Sequence, residues 1–95
     1  MKARARIRLI ATADGGRVGP IASGYVTLLG IDEKLSSVSV HFAEVDRVDP
    51  GGEEVVELFF SDPEHLGGRI RPGARVTLNE GLRRIGDGVI IELLP

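Results

Sequence analysis

The sequence contains no cysteine and no tryptophan, and its aromatic residues are limited to three phenylalanines and one tyrosine. The lack of cysteine excludes disulfides and thiolate metal sites, and it is compatible with a reducing compartment. No apolar stretch approaches the roughly 20 residues that cross a bilayer. The start, "MKARARIRLI", is basic but lacks the apolar segment of a signal peptide. We therefore expect a soluble cytoplasmic protein without membrane contacts.

Glycine and proline, by contrast, are frequent: 13 glycines and five prolines punctuate the 95 residues. Short segments rich in valine, isoleucine, leucine and phenylalanine lie between them, and no window shows a sustained helical stripe. Strands at intervals of about 8–12 residues are typical of all-β sandwiches and barrels. We predict one domain, residues 1–95, folded as a small closed antiparallel β-barrel of about six strands.

The first strand is predicted most clearly. Residues 2–9 alternate between cations and apolar residues, which places Ala3, Ala5, Ile7 and Leu9 in the core. Four cations then face outward: Lys2, Arg4, Arg6 and Arg8. The same alternation in "EEVVELFF" buries Val56, Leu58 and Phe60, and it leaves Val55, Glu57 and Phe59 on the outer face. In "SSVSVHF" it buries Val38, Val40 and Phe42. Pro50 and Gly51 fit a type II turn.

Charge is distributed unevenly, although the net charge is only −2. Residues 1–17 hold five cations and one acid, residues 41–64 hold one arginine and eight acids, and residues 69–84 hold five arginines and one acid. The small net charge argues against indiscriminate nucleic-acid binding. The uneven distribution predicts a folded surface with faces of opposite sign.

The segment "EGLRRIGDGVI", residues 80–90, poses the question of a phosphate-binding loop. Such a loop places its glycines directly before a helix, whose amides hold the phosphate. Here Gly86 and Gly88 precede the β-branched run "VIIELL". We predict that these glycines bend a strand, and we expect no nucleotide ligand.

Residue types suited to catalysis or metal binding are present without the spacing that such chemistry needs. His41 and His65 have no helical His/Glu partner, and we interpret both as solvated. The acids around "VDPGGEE" lack the pattern of a calcium loop, and no serine lies in a nucleophile elbow. We therefore expect no enzymatic activity, no cofactor and no metal.

Two surfaces are candidates for binding. Lys2, Arg4, Arg6 and Arg8 recur about every 6.6 Å along one strand face, so they fit either a row of phosphates or pairing with an acidic neighbouring strand. The second surface is the Val55, Glu57 and Phe59 patch, because apolar residues on an exposed face favour self-association or a protein partner.

Two segments resemble the C-terminal β-barrel domain of bacterial elongation factor Tu and related translational GTPases. "GGRVGPIASGY" is similar to that family's Gly-Gly-Arg…Pro…Ser-Gly-Tyr segment, and "GARVTLNEGLRRIGDGV" to its Gly-x-Arg…Glu-Gly-x-Arg…Gly-x-Gly-Val segment. The resemblance covers nearly the whole chain and implies a stand-alone barrel domain. It departs after Tyr25, where the family has a polar-aromatic segment, and the P-loop needed for GTP hydrolysis is missing.

The resemblance implies an architectural role for the matched residues. They are Gly15, Gly16, Arg17, Gly24, Tyr25, Glu80, Gly81, Arg83, Gly86 and Gly88. Glu80 is expected to form an ion network with Arg17, Arg75 and Arg83. The family's domain contacts aminoacyl-tRNA and an exchange factor, which leads to the prediction of a non-catalytic protein-interaction module linked to translation. The alternatives are an RNA-binding accessory that uses the basic strand and an enzyme with an unrecognised site.

Overall fold

The computed structural model describes all residues from Met1 to Pro95 and is dominated by strands. The eight strands are β1 (Lys2–Leu9), β2 (Ile21–Ala22), β3 (Tyr25–Ile31), β4 (Lys34–His41), β5 (Arg47–Val48), β6 (Glu53–Phe60), β7 (Arg75–Glu80) and β8 (Arg83–Leu94). One short helix, α1 (Pro63–Leu66), and two 3-10 turns, Thr12–Asp14 and Gly67–Arg69, complete the fold. The prediction of an all-β chain is confirmed.

Six of the strands close into an antiparallel barrel, as predicted. Their order around the barrel is β1-β6-β4-β3-β7-β8. The other two, β2 and β5, pair with each other outside the barrel. This small sheet was not predicted, because two-residue strands give no periodic signal. Ile21 and Val48 form one of its pairs, and both are buried.

The core follows the period-2 pattern of the sequence. Ala3, Ala5, Ile7 and Leu9 are buried along β1, which confirms the predicted inward face. The buried residues of β4 and β6 also match the prediction: Val38, Val40, Val56, Leu58 and Phe60. Phe42 is an exception, since it is only partly buried and packs against the edge of the core. Burial of each large aliphatic side chain contributes about 1.5–3 kcal/mol to folding.

The turns are confirmed in part. Gly51 has a φ of +84°, as a type II turn requires at its third position. The β3–β4 hairpin was not predicted: Asp32 and Glu33 form its two-residue turn, and both have positive φ, at 48° and 68°. Such a turn matches the twist of the strands it joins. The connection after β6 contains α1, which buries Leu66 against β4.

Gly86 and Gly88 lie inside β8, so the segment is a strand and no helix follows it. Both glycines face inward, opposite Leu9 and Ile7 of β1. A Cβ at Gly88 would lie 2.5 Å from the Arg6 carbonyl oxygen, and one at Gly86 would lie 2.7 Å from that of Arg8. The glycines therefore allow β8 to approach the β1 backbone closely as the barrel closes. The prediction that this segment is a strand rather than a phosphate-binding loop before a helix is confirmed.

Candidate macromolecule-binding surface

The outward face of β1 lies between acidic residues on both neighbouring strands. Arg4 is flanked by Glu57 of β6 and Glu92 of β8, and it forms an ion pair with Glu92. Arg8 is flanked by Glu53 and Asp87, and its guanidinium lies 4.0 Å from the Asp87 carboxylate. These two rows, which we term the charged rows, offset the repulsion among the β1 cations. Exposed pairs of this kind each contribute about 0–1 kcal/mol.

The other two cations of β1 lie between apolar side chains. Arg6 is flanked by Val55 and Val89, and its nearest carboxylate, that of Glu53, is 3.9 Å away. Lys2 is flanked by Phe59 and Leu94. Its Nζ lies 5.6 Å from the Phe59 ring centroid, within the range of a cation–π contact. We term these the apolar rows.

Charged and apolar rows alternate along the outward-facing side of β6, β1 and β8. We call this surface the outer face. Of the two predicted arrangements for the β1 cations, pairing with an acidic neighbouring strand is confirmed, and that strand is β6. The pairing joins the cations and the Val55, Glu57 and Phe59 patch into one surface. Phe59 is 38% exposed and Val89 36% exposed, whereas Val55 is half-buried. The result is a mixed surface of apolar side chains and compensated charges.

His41 belongs to the edge of the outer face. Its ring lies 4.4 Å from the Phe59 ring, centroid to centroid, and its Nε2 is 2.9 Å from the Ser39 hydroxyl. The histidine is therefore half-buried against an aromatic ring rather than freely solvated as predicted. His65, in α1, is exposed.

A second concave region lies beside the β3–β4 hairpin, and we call it the cationic groove. It has a volume of about 720 Å³, and five cations line it together with four acids. Arg8 and Arg84 are engaged with Asp87, whereas Lys34 and Arg75 have no carboxylate within ion-pair distance. Sequence reasoning missed this groove because only the barrel brings Arg6 of β1 and Arg75 of β7 together, on either side of Val89.

The predicted Glu80 network forms, although not with every expected member. The Glu80 carboxylate accepts hydrogen bonds from the Arg17 guanidinium and the Tyr25 hydroxyl. Arg17 also donates to the Gly19 carbonyl over 3.2 Å, and its guanidinium lies 5.1 Å from the Tyr25 ring centroid. The network therefore fixes the loop of residues 15–20 to the start of β3 and the end of β7.

Arg83 and Arg75 form no ion pair with Glu80, although Arg83 is its neighbour across the β7–β8 hairpin. Arg83 instead donates to the carbonyl oxygen of Gly15 over 2.9 Å, so it holds the same loop through its backbone. Arg75 instead lines the cationic groove. The prediction that Arg75 belongs to the Glu80 network was therefore wrong. The remaining matched glycines lie in turns: Gly15, Gly24 and Gly81 have positive φ, and Gly16 packs against the backbone of Ile10.

Tyr25 is a titratable group whose pKa is shifted by its surroundings. Burial raises the pKa of its phenol above the ordinary value, and the hydrogen bond to the Glu80 carboxylate raises that pKa further. Both effects favour the neutral phenol. The perturbed group is thus already engaged as a hydrogen-bond donor within the loop-fixing network.

Comparison with known proteins adds no identification: no protein-family model matches the chain, and no curated protein matches it. None of the helices has the length and apolar character that crossing a bilayer demands.

Proposed function

We propose that the protein is a non-catalytic binding module that contacts another protein through the outer face. The observation that carries this proposal is the alternation of rows on that face. A protein partner can cover the Phe59 ring and the valines of the apolar rows, and the compensated charges can hydrogen-bond at the rim. A surface built only to follow phosphates would leave its arginines free of carboxylates.

The link to translation rests on the resemblance to the C-terminal domain of elongation factor Tu. A closed six-stranded antiparallel barrel is compatible with that domain, and the Arg17, Tyr25 and Glu80 network unites residues of both matched segments. A non-catalytic role is supported by the use of Tyr25 in that network. We propose a partner from the translation apparatus or a second copy of the chain.

The experiment is affinity capture from lysate, with and without nuclease, using the wild-type protein and two variants. Phe59→Ser removes an aromatic ring of the outer face, and Leu82→Ser alters a side chain that is 101% exposed in the β7–β8 turn. We expect nuclease-resistant capture that Phe59→Ser abolishes and Leu82→Ser preserves. Light scattering on the purified protein detects self-association through the same face.

Capture that is unaffected by Phe59→Ser would contradict the proposed surface. The absence of both a captured protein and a dimer would contradict the proposed function as a whole. Capture that nuclease removes would instead favour RNA binding.

RNA binding is the second candidate, because Lys34 and Arg75 have no acidic partner in the cationic groove. We expect tRNA binding through this groove to weaken steeply with salt, each lost phosphate contact lowering the salt slope by about 1. Arg6→Glu should reduce the affinity, whereas Arg71→Glu, which changes an exposed arginine outside the groove, should have little effect. Binding that is insensitive to salt would contradict this alternative.

A further inference from the structure

The β4–β6 pair opens into a slot at one end. The two strands are paired only from Val38 to His41, opposite residues 57–60 of β6. Beyond His41 the chain diverges, and a cavity of about 530 Å³ separates residues 42–44 from residues 54–57. We call this cavity the slot.

Backbone groups of β6 face the slot without a backbone partner. The Leu9 amide donates to Gly52, and the Phe60 amide donates to Met1, so even-numbered residues of β6 direct their backbone groups toward β1. Odd-numbered residues face the other way, and Val55 and Glu53 lie beyond the last pair with β4. The Val55 amide donates over 3.1 Å to the carboxylate of its own neighbour, Glu54.

The opposite wall of the slot is open as well. Residues 43–46 belong to no strand, and none of their backbone groups makes a backbone hydrogen bond. The slot is therefore bordered on one side by an unpaired strand edge and on the other by an unpaired connection that bends at residues 43, 44 and 46. Unpaired edges of this kind are templates for the addition of another strand.

The charge of the slot is acidic. Glu44, Glu54 and Glu57 line it, and none of the three carboxylates lies within ion-pair distance of a cation. Arg4 is the only arginine or lysine at its border, and it is paired with Glu92. Both walls come from residues 41–64, the segment with eight acids and one arginine. Phe42, Val55 and Val56 add apolar surface.

We propose that the slot binds an extended, basic segment of another protein as an added strand along Glu53–Val55. This proposal rests on the proposed function, because it specifies a protein ligand and a second place where the module holds it. Backbone hydrogen bonds to Val55 give affinity, and arginine or lysine side chains reach the three carboxylates.

The test uses a capped eight-residue peptide of alternating arginine and valine, added to the full chain. We expect saturable binding that weakens with salt, and slower hydrogen exchange at the Val55 amide, by about tenfold or more. A matched peptide of alternating glutamate and valine should not bind. Failure of the arginine peptide to bind, or an unchanged Val55 exchange rate, overturns the proposal.

Changes to the peptide backbone and to Val55 of the protein distinguish strand addition from binding by charge attraction alone. Two N-methylated peptides, methylated at every second residue in opposite phases, keep the charge but lose edge hydrogen bonds. At least one of them should bind about tenfold more weakly or worse, and equal binding by both overturns strand addition. Val55→Pro, which removes an amide without a backbone partner, should weaken the unmodified peptide similarly.

The acidic contribution is tested with a double variant and a matched control. Glu44→Gln with Glu57→Gln should weaken peptide binding by about fivefold or more. Asp62→Asn with Glu64→Gln makes the same change of charge at exposed positions beside α1, and it should have a much smaller effect. Equal effects of the two double variants overturn the slot as the site.

The outcomes also distinguish this inference from the proposed function. Partner capture that depends on Phe59, together with no peptide binding, overturns the slot alone. Peptide binding at Val55 without any captured partner overturns the role of the outer face alone. A dimer that forms without peptide and dissociates on Val55→Pro would assign the slot to a second copy of the chain and overturn the basic peptide.

Discussion

β6 pairs with β1 on one side and with β4 on the other. These two strand pairs, which we call seams, are built differently. β6 pairs with β1 along seven residue pairs, from Glu53 to Phe59, whereas it meets β4 over only four. β1 is closed on its other side as well, because inward-facing Gly86 and Gly88 let β8 approach it closely. The first seam is sealed by backbone pairing and compensated charges, and the second leaves donors, acceptors and carboxylates available.

The two ends of the β4–β6 seam extend the comparison. At the Ser37 end the Ser61 amide continues the pairing, and the connection that follows places α1 against β4 and buries Leu66. At the His41 end nothing covers the edge. A small barrel can therefore be closed and still present an open edge for a partner, where one pair of strands diverges early.

The largest expected effect comes from disturbing the close approach of β8 to β1, on the side of β1 opposite its seam with β6. Gly88→Ala would place a Cβ 2.5 Å from the Arg6 carbonyl oxygen, and we expect it to lower the free energy of unfolding by about 2–4 kcal/mol. Gly19→Ala is the control, because no atom lies within 4 Å of its added Cβ. That control should leave stability unchanged or raise it by up to about 1 kcal/mol. Urea unfolding checks both, and equal stabilities would contradict the close approach of β8 and β1.

An intermediate effect compares the two edges of β6 directly. Glu54→Pro removes an amide that faces β1 and leaves its acceptor on β1 unpaired, so it should cost about 2 kcal/mol. Val55→Pro removes the adjacent amide, which faces the slot and lacks a backbone partner, so it should cost about 1 kcal/mol or less. Urea unfolding of the pair measures the difference. Similar losses for both variants would mean that the slot edge is not open.

The smallest expected effect concerns the network that fixes the loop of residues 15–20 outside both seams. The folded pKa of Tyr25 is raised, so its contribution is fully present below the unfolded pKa of about 10 and is lost as the pH rises through the folded pKa. Tyr25→Phe should cost about 1 kcal/mol at neutral pH. Unfolding between about pH 8 and 11 should show this difference shrinking above about pH 10. A constant difference would contradict the raised pKa.

Much of the fold could be predicted from the sequence, because local side-chain periodicity carries the information. Alternation in residues 2–9 and 53–60 identified the buried faces of β1 and β6, and the glycines of "GDGV" indicated a strand that bends. Short elements were missed for the same reason: β2, β5 and α1 are too short to show a period. The Asp32–Glu33 turn was missed because Glu33 occupies a position of positive φ at which such turns usually have glycine.

The sequence by itself determined which side chains of each strand face the core and which face out, since that depends on neighbours two residues apart. Only the tertiary structure decided what each outward side chain meets. Arg4 lies between two glutamates and Arg6 between two valines because of strand register, and residues far apart in the chain set that register. The same holds for the slot, whose open edge exists because β4 and β6 stop pairing at His41 and Glu57.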